Sequence, residues 1–413
     1  MSLHEAEAGQ PLAPRKKTKQ IHLGKVAIGG GAPIPIQSMA TTDTRNLEAT
    51  IAQLRELQAA GADIVRVACP DEEAAANLGA LQRSITIPLV ADIHFNHKLA
   101  LLAIEQGVQG IRLNPGNIGG AAKVREVAKA AVEHKVPIRV GVNAGSLEKQ
   151  LLQKYGHATP EAMVESAKFE VGLLEDEGVS QIKISLKASD VPTAVRAYRL
   201  ASQTFEYPLH LGITESGTMF GGTIKSSAGL AILLADGIGD TLRVSLAADP
   251  VEEVKVAIQM LKALGIRSGG LTFVACPTCG RCSVNMIPIA ERVEKKLHVV
   301  QGDVHVAVMG CEVNGPGEAR EADVGIAFGH AGYGLLFKKG KIIKRVKVDE
   351  LEGLLIDTAQ RIASGEDTDE ASDAAEGSGG SPAQASSDKP MTVAVIDARL
   401  HPTAADVLGN TQF

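Results

Sequence analysis

The sequence predicts an α/β protein in which a TIM (β/α)8 barrel precedes a smaller α+β domain. Three observations favour this fold class. Eight β-prone runs alternate with eight helical runs over about 230 residues. Within several of the β-prone runs, polar and apolar side chains fall on opposite faces. Beyond residue 269 the alternation stops, and four of the five cysteines follow it.

The alternation of β-prone and helical runs is the main argument for the barrel. A doubly wound sheet also alternates strands with helices, but the count of eight matches the barrel. The β-prone runs are Ile34–Met39, Asp63–Ala68, Pro88–Ile93, Gly110–Asn114, Pro137–Asn143, Gln181–Lys187, Pro208–Thr214 and Thr241–Leu246. The helical runs are Leu47–Ala60, Asp71–Gln82, Lys98–Gln106, Ala121–His134, Pro160–Glu177, Val191–Thr204, Ser226–Leu234 and Val251–Leu264.

The β-prone runs have one apolar and one polar face, because alternate side chains of a strand point to opposite sides. In Pro137–Asn143, for example, Ile138 and its alternate neighbours are apolar, whereas Arg139 and Asn143 share the other face. The same division holds for Gln181–Lys187, Pro208–Thr214 and Thr241–Leu246. One face must pack against the helices, so we expect the polar face to point into the barrel, where it requires a polar ligand.

The segment after Gly269 has a different order of elements, which indicates a second domain. Its predicted elements are strand Leu271–Val274, helix Ile287–Leu297, strands Val304–Met309 and Val324–Phe328, a hairpin over about 334–348 and helix Asp349–Ile362. The predicted domains are a disordered N-terminal extension, 1–18; the barrel, 19–268; the cysteine domain, 269–364; an acidic disordered linker, 365–388; and a C-terminal extension without an assigned role, 389–413. The linker contains no Val, Ile, Leu, Met or Phe, so it has nothing to bury.

Composition excludes several classes of protein. Aromatic residues make up 3% and Trp is absent, which argues against stacking on nucleic-acid bases. The net charge of −6 is concentrated in the seven acidic residues of 365–388, so the rest of the chain is near neutral and unsuited to bind polyanions in general. No segment has the apolar length of a membrane span or a signal peptide. We therefore expect a cytoplasmic protein that binds neither nucleic acid nor membrane.

Four cysteines form the strongest chemical signal. Cys276, Cys279 and Cys282 follow one predicted strand, and Cys311 follows another. Thiolates three residues apart on a tight loop bind either one zinc ion or part of an iron–sulfur cluster, and the spacing leaves both open. A remote cysteine followed by Asn-Gly-Pro-Gly favours the cluster. Cys69 stands alone after a strand, so we expect it to be a buried apolar residue.

Cations at the strand ends form a second signal. Arg66, Arg112, Arg139, Lys187 and Arg243 lie in or at the end of five predicted strands, with Asn114 and Asn143 nearby. Active sites of this fold lie at that end of the barrel, and converging cations bind phosphate oxygens. The alternative is that some of them form salt bridges with Asp92 or Glu215. Asp92, His94 and Glu215 reach the same mouth and are candidates for acid–base chemistry or for orienting the cations.

Together these motifs resemble the 4-hydroxy-3-methylbut-2-en-1-yl diphosphate synthase family, iron–sulfur enzymes late in the methylerythritol phosphate pathway of isoprenoid biosynthesis. The resemblance spans about residues 19 to 360 and is that of the compact bacterial form. The motifs that carry it are Gly24–Gly30 (GKVAIGG), Pro35–Met39 (PIQSM), Asp92–Asn96 (DIHFN), Arg112–Gly116 (RLNPG), Cys276–Arg281 (CPTCGR) and Met309–Glu318 (MGCEVNGPGE).

The resemblance implies an oxidoreductase that contains a [4Fe-4S] cluster. The family reductively opens and dehydroxylates 2-C-methyl-D-erythritol 2,4-cyclodiphosphate to 4-hydroxy-3-methylbut-2-enyl diphosphate, with two electrons passed through the cluster. By resemblance, the metal ligands are Cys276, Cys279, Cys311 and Glu318, where the carboxylate is an exchangeable ligand. Cys282 has no counterpart in the usual family pattern, and we expect it to be a bystander.

The resemblance also implies the roles of the barrel residues. The expected substrate-binding residues are Arg66, Arg112, Asn114, Arg139, Asn143, Lys187, Arg243 and Ser245. The expected catalytic residues are Glu215, His94 and Glu318, with Glu215 as a proton donor. Reduced flavodoxin or ferredoxin is the expected electron donor. The family also implies a homodimer in which the cluster domain of one subunit closes over the barrel of the other.

Two other classes of function fit parts of the sequence. A zinc-containing barrel enzyme acting on a phosphorylated or pterin-like substrate would use the cysteines structurally, and the protein would be colourless. A non-enzymatic iron–sulfur carrier or sensor would explain the cysteines. That second class leaves the polar barrel interior without a purpose.

Overall fold

The computed structural model describes residues 13–282, 284–298, 300, 302–312, 315–329 and 331–366. The predicted extension 389–413 lies outside the described residues, as does the predicted linker from residue 367 onward. Residues 1–12 of the predicted N-terminal extension also lie outside them. The structure therefore bears on the barrel, the cysteine domain and the short segment that precedes the barrel.

The segment 13–18 is bound to the barrel, so the prediction of disorder over 1–18 is wrong for this part. Arg15 donates a hydrogen bond from Nη1 to the carbonyl of Ala32 at 2.6 Å, and Lys16 donates from its backbone amide to Gly237 at 2.9 Å. Thr18 Oγ1 donates to the buried carboxylate of Asp240 at 2.9 Å. An apolar pattern is missing here because polar contacts, largely to backbone carbonyls, hold the segment.

A short antiparallel hairpin follows, which the sequence analysis did not predict. Its strands are β1 (Ile21–Leu23) and β2 (Val26–Ile28). Ile21, Leu23 and Ile28 are buried against Ile64 and Val90, two apolar residues from the start of the barrel. The hairpin therefore packs against the N-terminal end of the barrel interior.

The barrel strands within the described residues run parallel and occur in the predicted order. They are β3 (Gln37–Met39), β4 (Ile64–Ala68), β5 (Leu89–Asp92), β6 (Gly110–Leu113), β7 (Ile138–Asn143), β8 (Ile182–Lys187), β9 (His210–Leu211) and β10 (Thr241–Leu242). Strands β3 to β8 form one continuous sheet, and β9 pairs with β10. Parallel bridges from Ile184 to Leu209 and from Ile36 to Leu242 close the ring. The TIM-barrel prediction is confirmed.

Helices between the strands cover the outside of the ring. They are α1 (Leu47–Ala59), α2 (Glu72–Arg83), α3 (His97–Glu105), α4 (Ala121–Glu133), α5 (Lys149–Tyr155), α6 (Pro160–Glu175), α7 (Val191–Thr204), α8 (Met219–Ala235) and α9 (Pro250–Ala263). Side chains such as Asn46, Asp71 and Asp190 accept a backbone amide at the N-terminus of their helices, which fixes the helix starts. Helix α5 was not predicted. Helix α8 begins at Met219, seven residues before the predicted start at Ser226, because Gly221 and Gly222 weaken the helical pattern of its first turns.

The cysteine domain is a mixed sheet with helices packed on it. Its elements are β11 (Leu271–Ala275), α10 (Ile287–Leu297), β12 (Val304–Met309), α11 (Gly315–Glu318), β13 (Val324–Phe328), β14 (Tyr333–Lys338), β15 (Lys341–Lys347) and α12 (Val348–Ser364). The sheet order follows the chain, with β11 to β13 parallel and β13 to β15 antiparallel. Val293, Leu351 and Leu355 bury the inner faces of α10 and α12 against it. This arrangement matches the α+β prediction.

Candidate active site in the barrel and the cysteine loops

A row of charged side chains crosses four neighbouring barrel strands at one level. Backbone register places Asp92 of β5 beside Arg112 of β6, Arg112 beside Arg139 of β7, and Arg139 beside Lys183 of β8. Each of these residues is no more than 9% exposed. The polar faces therefore point into the barrel, as the alternation in the sequence predicted.

Two glycines on the same polar faces leave room for the cations. A Cβ on Gly141 would lie 2.6 Å from Nε of Arg112, and one on Gly212 would lie 2.8 Å from Nζ of Lys187. Arg112 also donates from Nη2 to the carbonyl of Gly141 at 3.0 Å. A side chain at Gly141 would displace Arg112, and one at Gly212 would displace Lys187, so the positions of these two cations require glycine at both sites.

Asp92 is the carboxylate at the centre of the cations. Its oxygens lie 3.9 Å from Nε of Arg66, 3.4 Å from Nη1 of Arg112 and 3.5 Å from Nε2 of His94. Burial alone would raise the pKa of Asp92, but the two arginines and His94 outweigh it and hold that pKa well below its usual range. Asp92 is thus a permanent anion that orients cations, which decides between the two roles that the sequence allowed.

Arg243 has a carboxylate partner that the sequence analysis did not name. Glu253 of α9, which is 3% exposed, accepts from Nε and Nη2 of Arg243 at 3.1 Å each. The sequence alternatives were Asp92 and Glu215, and neither pairs with Arg243 in the described residues. A bidentate pair of this kind fixes the direction of the guanidinium. This contact could not be predicted from the sequence, because it depends on how α9 packs against the barrel strands in the folded structure.

A thioether lies between two of the arginines. Met39 Sδ accepts from Nη2 and Nε of Arg66 at 2.8 and 3.1 Å, and from Nη1 of Arg243 at 3.5 Å. The sulfur orients both guanidinium groups without cancelling their charge. Burial lowers the pKa of Arg66 to about 10, which still leaves it charged at neutral pH.

Arg139 and Lys187 have no salt-bridge partner in the part of the chain that the structure describes. Burial, together with the positive charge of Arg139 and Arg66, lowers the pKa of Lys187 well below its usual value. Burial lowers the pKa of Arg139 in the same way. The described interior thus has more basic side chains than carboxylates, the surplus lies on β7 and β8, and a bound anion would favour the charged forms of both side chains. An anion would relieve this surplus.

The uncharged site residues lie at the same end of the barrel. Asn114 is buried, and its Oδ1 accepts the amide of Gly141 at 3.2 Å, which ties β6 to β7 above the charged row. Asn143 is half-buried at the end of β7, and Ser245 is half-buried three residues beyond the end of β10. The predicted substrate-binding residues thus surround one mouth.

His94 and Glu215 lie on the exposed rim of this mouth. The His94 side chain is 59% exposed, and Glu215 is exposed with a positive φ of 52°. Such a backbone conformation is unfavourable for a residue other than glycine and persists where the surrounding structure enforces it. Phe95 and Phe220, at 73% and 81% exposure, flank the same rim.

The cysteine loops lie at the ends of β11 and β12. Cys276 Sγ accepts a hydrogen bond from the backbone amide of Gly310 at 3.0 Å, and the sulfur of Cys282 also lies beside Gly310. A Cβ on Gly310 would be 3.2 Å from the Cys276 sulfur and 3.0 Å from the Cys282 sulfur. Gly310 therefore provides space for sulfur atoms beside the backbone of β12.

The other predicted ligands do not complete a metal site in the described residues. Cys279 is exposed, and hydrogen bonds from the backbone and side chain of Arg281 lower its pKa, which favours the thiolate. Cys311 is half-buried next to Gly310. No group of three or more His, Cys, Asp or Glu side chains in the described residues is close enough to hold a metal ion. The side chain of Glu318 lies outside the described part. Cys69 is 2% exposed, as expected, and burial raises its pKa to about 11.

Comparison with known proteins assigns the family. The model of the GcpE TIM-barrel domain matches residues 18–258, and that of the GcpE protein C-terminal domain matches residues 272–361. The chain belongs to the GcpE family. A relative from Geobacter sulfurreducens, 4-hydroxy-3-methylbut-2-en-1-yl diphosphate synthase (flavodoxin), is 60% identical over 348 residues, which are 84% of this chain and 98% of the relative. A relative of the same name from Thermodesulfovibrio yellowstonii is 55% identical, covering 84% and 99%.

Membership of the GcpE family confirms the resemblance drawn from the motifs and makes this chain an enzyme. The alternative of a non-enzymatic carrier or sensor is therefore wrong. Among solved structures, a dihydropteroate synthase from Xanthomonas albilineans has a TM-score of 0.43 and 15% identity, covering 60% of this chain and 98% of its own. In the described part of the chain, no helix is both long and apolar enough to cross a membrane.

Proposed function

We propose that this GcpE enzyme converts 2-C-methyl-D-erythritol 2,4-cyclodiphosphate into 4-hydroxy-3-methylbut-2-enyl diphosphate in the methylerythritol phosphate pathway. The reaction opens the ring by breaking a carbon–oxygen bond to the diphosphate and removes a hydroxyl as water. It consumes two electrons and the protons that balance them. The observation that carries the proposal is the surplus of buried cations in the barrel, which suits a diphosphate.

The cations have distinct roles in holding the substrate. Arg139 and Lys187, without salt bridges of their own, are the ones available to the diphosphate oxygens. Arg66, Arg112 and Arg243 are oriented by Asp92, Glu253 and Met39 and present their remaining donors toward the mouth. Asn114, Asn143 and Ser245 add neutral contacts. Because the cations are buried and fixed, each charge-assisted contact is stronger than it would be on the surface.

We assign proton transfer to the two groups on the rim, Glu215 and His94. Glu215 is the proposed donor, because it is an exposed carboxyl in the loop that follows β9, at the end of the barrel where the strands end. His94 Nε2 lies 3.5 Å from a carboxylate oxygen of Asp92, which orients the imidazole ring on the rim. Asp92 and Glu253 are engaged by arginines, so neither is proposed as the proton donor.

The cysteine loops fit an iron–sulfur cluster in two respects. The amide of Gly310 donates to a sulfur, and Gly310 has no side chain to fill the space beside Cys276. Cys276, Cys279 and Cys311, with Glu318, would hold the [4Fe-4S] cluster, and Glu318 is the exchangeable ligand. When bound, the cluster supplies the two electrons one at a time and a Lewis-acidic iron.

The relatives' name points to reduced flavodoxin as the electron donor, with ferredoxin as the other candidate. We further propose a homodimer in which the cysteine domain of one subunit covers the barrel mouth of the other. Phe95 and Phe220 on the rim would be buried by this contact, which would also exclude water from the substrate. A cytoplasmic location fits a soluble electron donor of this kind.

Anaerobic purification tests the proposal directly. The expected result is a brown protein with about four irons and four sulfides per chain that forms the diphosphate product with a chemical reductant. A colourless protein with one zinc per chain would instead support the zinc-containing barrel enzyme. An iron–sulfur protein that leaves the cyclodiphosphate unchanged under reducing conditions would refute the substrate assignment.

A further inference from the structure

Two carboxyl groups lie against the loops that follow β6 and β7. Glu170 of α6 is 1% exposed, although glutamate is almost never fully buried without a partner. Glu148 precedes α5, and its Oε1 accepts a hydrogen bond at 3.0 Å from Ser166 Oγ, one turn before Glu170 on α6. The two loops follow Asn114 and Asn143, which are proposed to contact the substrate. The carboxyl pair therefore lies where α6 meets the supports of the substrate site.

The two carboxyl groups have fewer hydrogen-bond donors than they need. Glu170 Oε2 and Glu148 Oε2 are buried, and neither has a hydrogen-bond partner within the described residues. The other side of Glu170 faces the turn after β6, because the backbone amide of Gly116 donates to the carboxyl group and a Cβ at Gly116 would lie 3.0 Å from Oε1. A buried carboxylate oxygen without a donor is unfavourable. A proton on Glu170 supplies such a donor and removes one of the two negative charges.

The surroundings of Glu170 favour its protonated form. Burial raises the pKa of Glu170 to about 7; the Gly116 amide and Arg112 oppose this rise, and Glu148 adds to it. Glu148 and Arg112 are thus the charged side chains that act on Glu170. Ion pairs on the neighbouring helices lie at the protein surface: Lys154 with Glu165, Arg125 with Glu177, and Arg199 with Asp236. Glu170 is therefore mostly protonated at pH 6 and mostly charged at pH 8.5.

We propose that protonated Glu170 is a positioning residue of the substrate site, which holds together the loops after β6 and β7 and keeps a negative charge away from Arg112. The inference rests on the proposed function, because it requires an anionic substrate. When Glu170 loses its proton, it repels Glu148 and opposes the attraction of Arg112 for the diphosphate. By linkage, a bound diphosphate favours the protonated form of Glu170, so the substrate binds more tightly at low pH than at high pH.

Binding calorimetry at two pH values tests the inference. The cluster-containing enzyme is titrated with the cyclodiphosphate in the absence of a reductant, at pH 6 and at pH 8.5. The affinity of the wild type should fall about 3- to 10-fold between these pH values. Glu170→Gln carries an amide that resembles the protonated carboxyl group, so its affinity at pH 6 should match the wild type and most of the fall should vanish. Glu165→Gln, on the same helix, is the matched control and should keep the fall, because Lys154 already binds Glu165 at 2.7 Å.

The pH profile separates positioning from a purely structural role. A structural role would change the melting temperature of Glu170→Gln but leave the ratio of its two affinities as in the wild type. An equal fall in the wild type and in Glu170→Gln would assign the titration to another group, such as His94 on the rim, and overturn the inference. Equal affinity of the wild type at both pH values would also overturn it. A wild type that does not bind the cyclodiphosphate at pH 6 would refute the substrate assignment, and this inference with it.

Discussion

The barrel interior and the cysteine loops differ in how far the protein alone assembles them. In the barrel, Asp92, Glu253 and Met39 hold the arginines in place, and the side chains are buried. In the loops, Cys279 is exposed and the described cysteines are not gathered as metal ligands. The barrel site is thus held by salt bridges and hydrogen bonds between its own side chains, whereas metal ligands are deprotonated and brought together as the metal binds.

The largest expected effect concerns the cysteine loops. Cys276→Ser removes the ligand beside Gly310 and should abolish both iron binding and turnover. Cys282→Ser is the matched control and should retain cluster and activity, because Cys282 is not one of the proposed ligands. Iron and sulfide analysis with the visible absorption spectrum measures both. If Cys282→Ser loses the cluster while Glu318→Ala keeps full turnover, the proposed fourth ligand is wrong.

The barrel should show the opposite behaviour, with binding lost and iron retained. Arg139→Ala removes a charge-assisted contact worth about 1.5–3 kcal/mol, so substrate affinity should fall by roughly 10- to 150-fold. Arg112→Ala should have an effect of the same order, and iron content should be unchanged in both variants. Calorimetry on the reconstituted enzyme gives the affinity. Normal affinity in both would mean that these arginines serve the fold only.

Glu170 provides a test that is specific to the barrel domain, because it is a buried carboxyl group whose charge depends on pH. It lies on α6 against Gly116, and burial raises its pKa to about 7. Its ionisation is thus disfavoured in the folded state, so stability is highest at low pH and falls as pH rises from about 4.5 to 7. Glu170→Gln should remove this dependence and stabilise the protein at pH 8 by about 2 kcal/mol.

Urea unfolding at pH 5 and pH 8 measures the effect of Glu170→Gln. The neighbouring charges that act on Glu170 are Glu148, which raises its pKa, and Arg112, which lowers it. Glu148→Gln is therefore a useful companion and should weaken the pH dependence without removing it. An unchanged pH dependence in Glu170→Gln would assign the titration to another group.

A smaller expected effect concerns Met39. Met39→Leu keeps the volume but removes the thioether acceptor shared by Arg66 and Arg243. Because Asp92 and Glu253 still hold these arginines, substrate affinity should fall only about 3- to 10-fold, less than for Arg139→Ala. Melting temperature and iron content should stay the same. A loss of substrate affinity as large as that of Arg139→Ala would show that the Met39 sulfur contributes as much to binding as a charged side chain.

The smallest effect is expected from removing everything after Ser364. The matched family models end at residue 361, and each proposed site residue precedes that point. The truncated enzyme should bind its cluster and turn over at a rate similar to that of the full chain. A large fall in melting temperature or in cluster occupancy would show that residues 365–413 contribute to the folded body.

The order of the barrel elements and the chemistry of their side chains could be predicted from the sequence. The alternation around Arg139 and Lys187 predicted an interior lined by cations, because the two-residue period of a strand is a local property. Helix starts were predictable for the same reason, because Asp71 and Asp190 cap their helices through hydrogen bonds to residues only three positions away. The motifs around Cys276 and Cys311 likewise indicated the family from the sequence.

Which of the described barrel charges form salt bridges depends on tertiary packing. Glu253 meets Arg243 because α9 packs beside β3 and β10, and Met39 meets the same arginine 204 residues away. The hairpin at Ile21–Ile28 and the segment 13–18 have little local signal, because contacts distant in sequence hold them. Lys183 lay on the predicted polar face, but its direct opposition to Arg139 depends on strand register, which is set by the packing of the whole barrel.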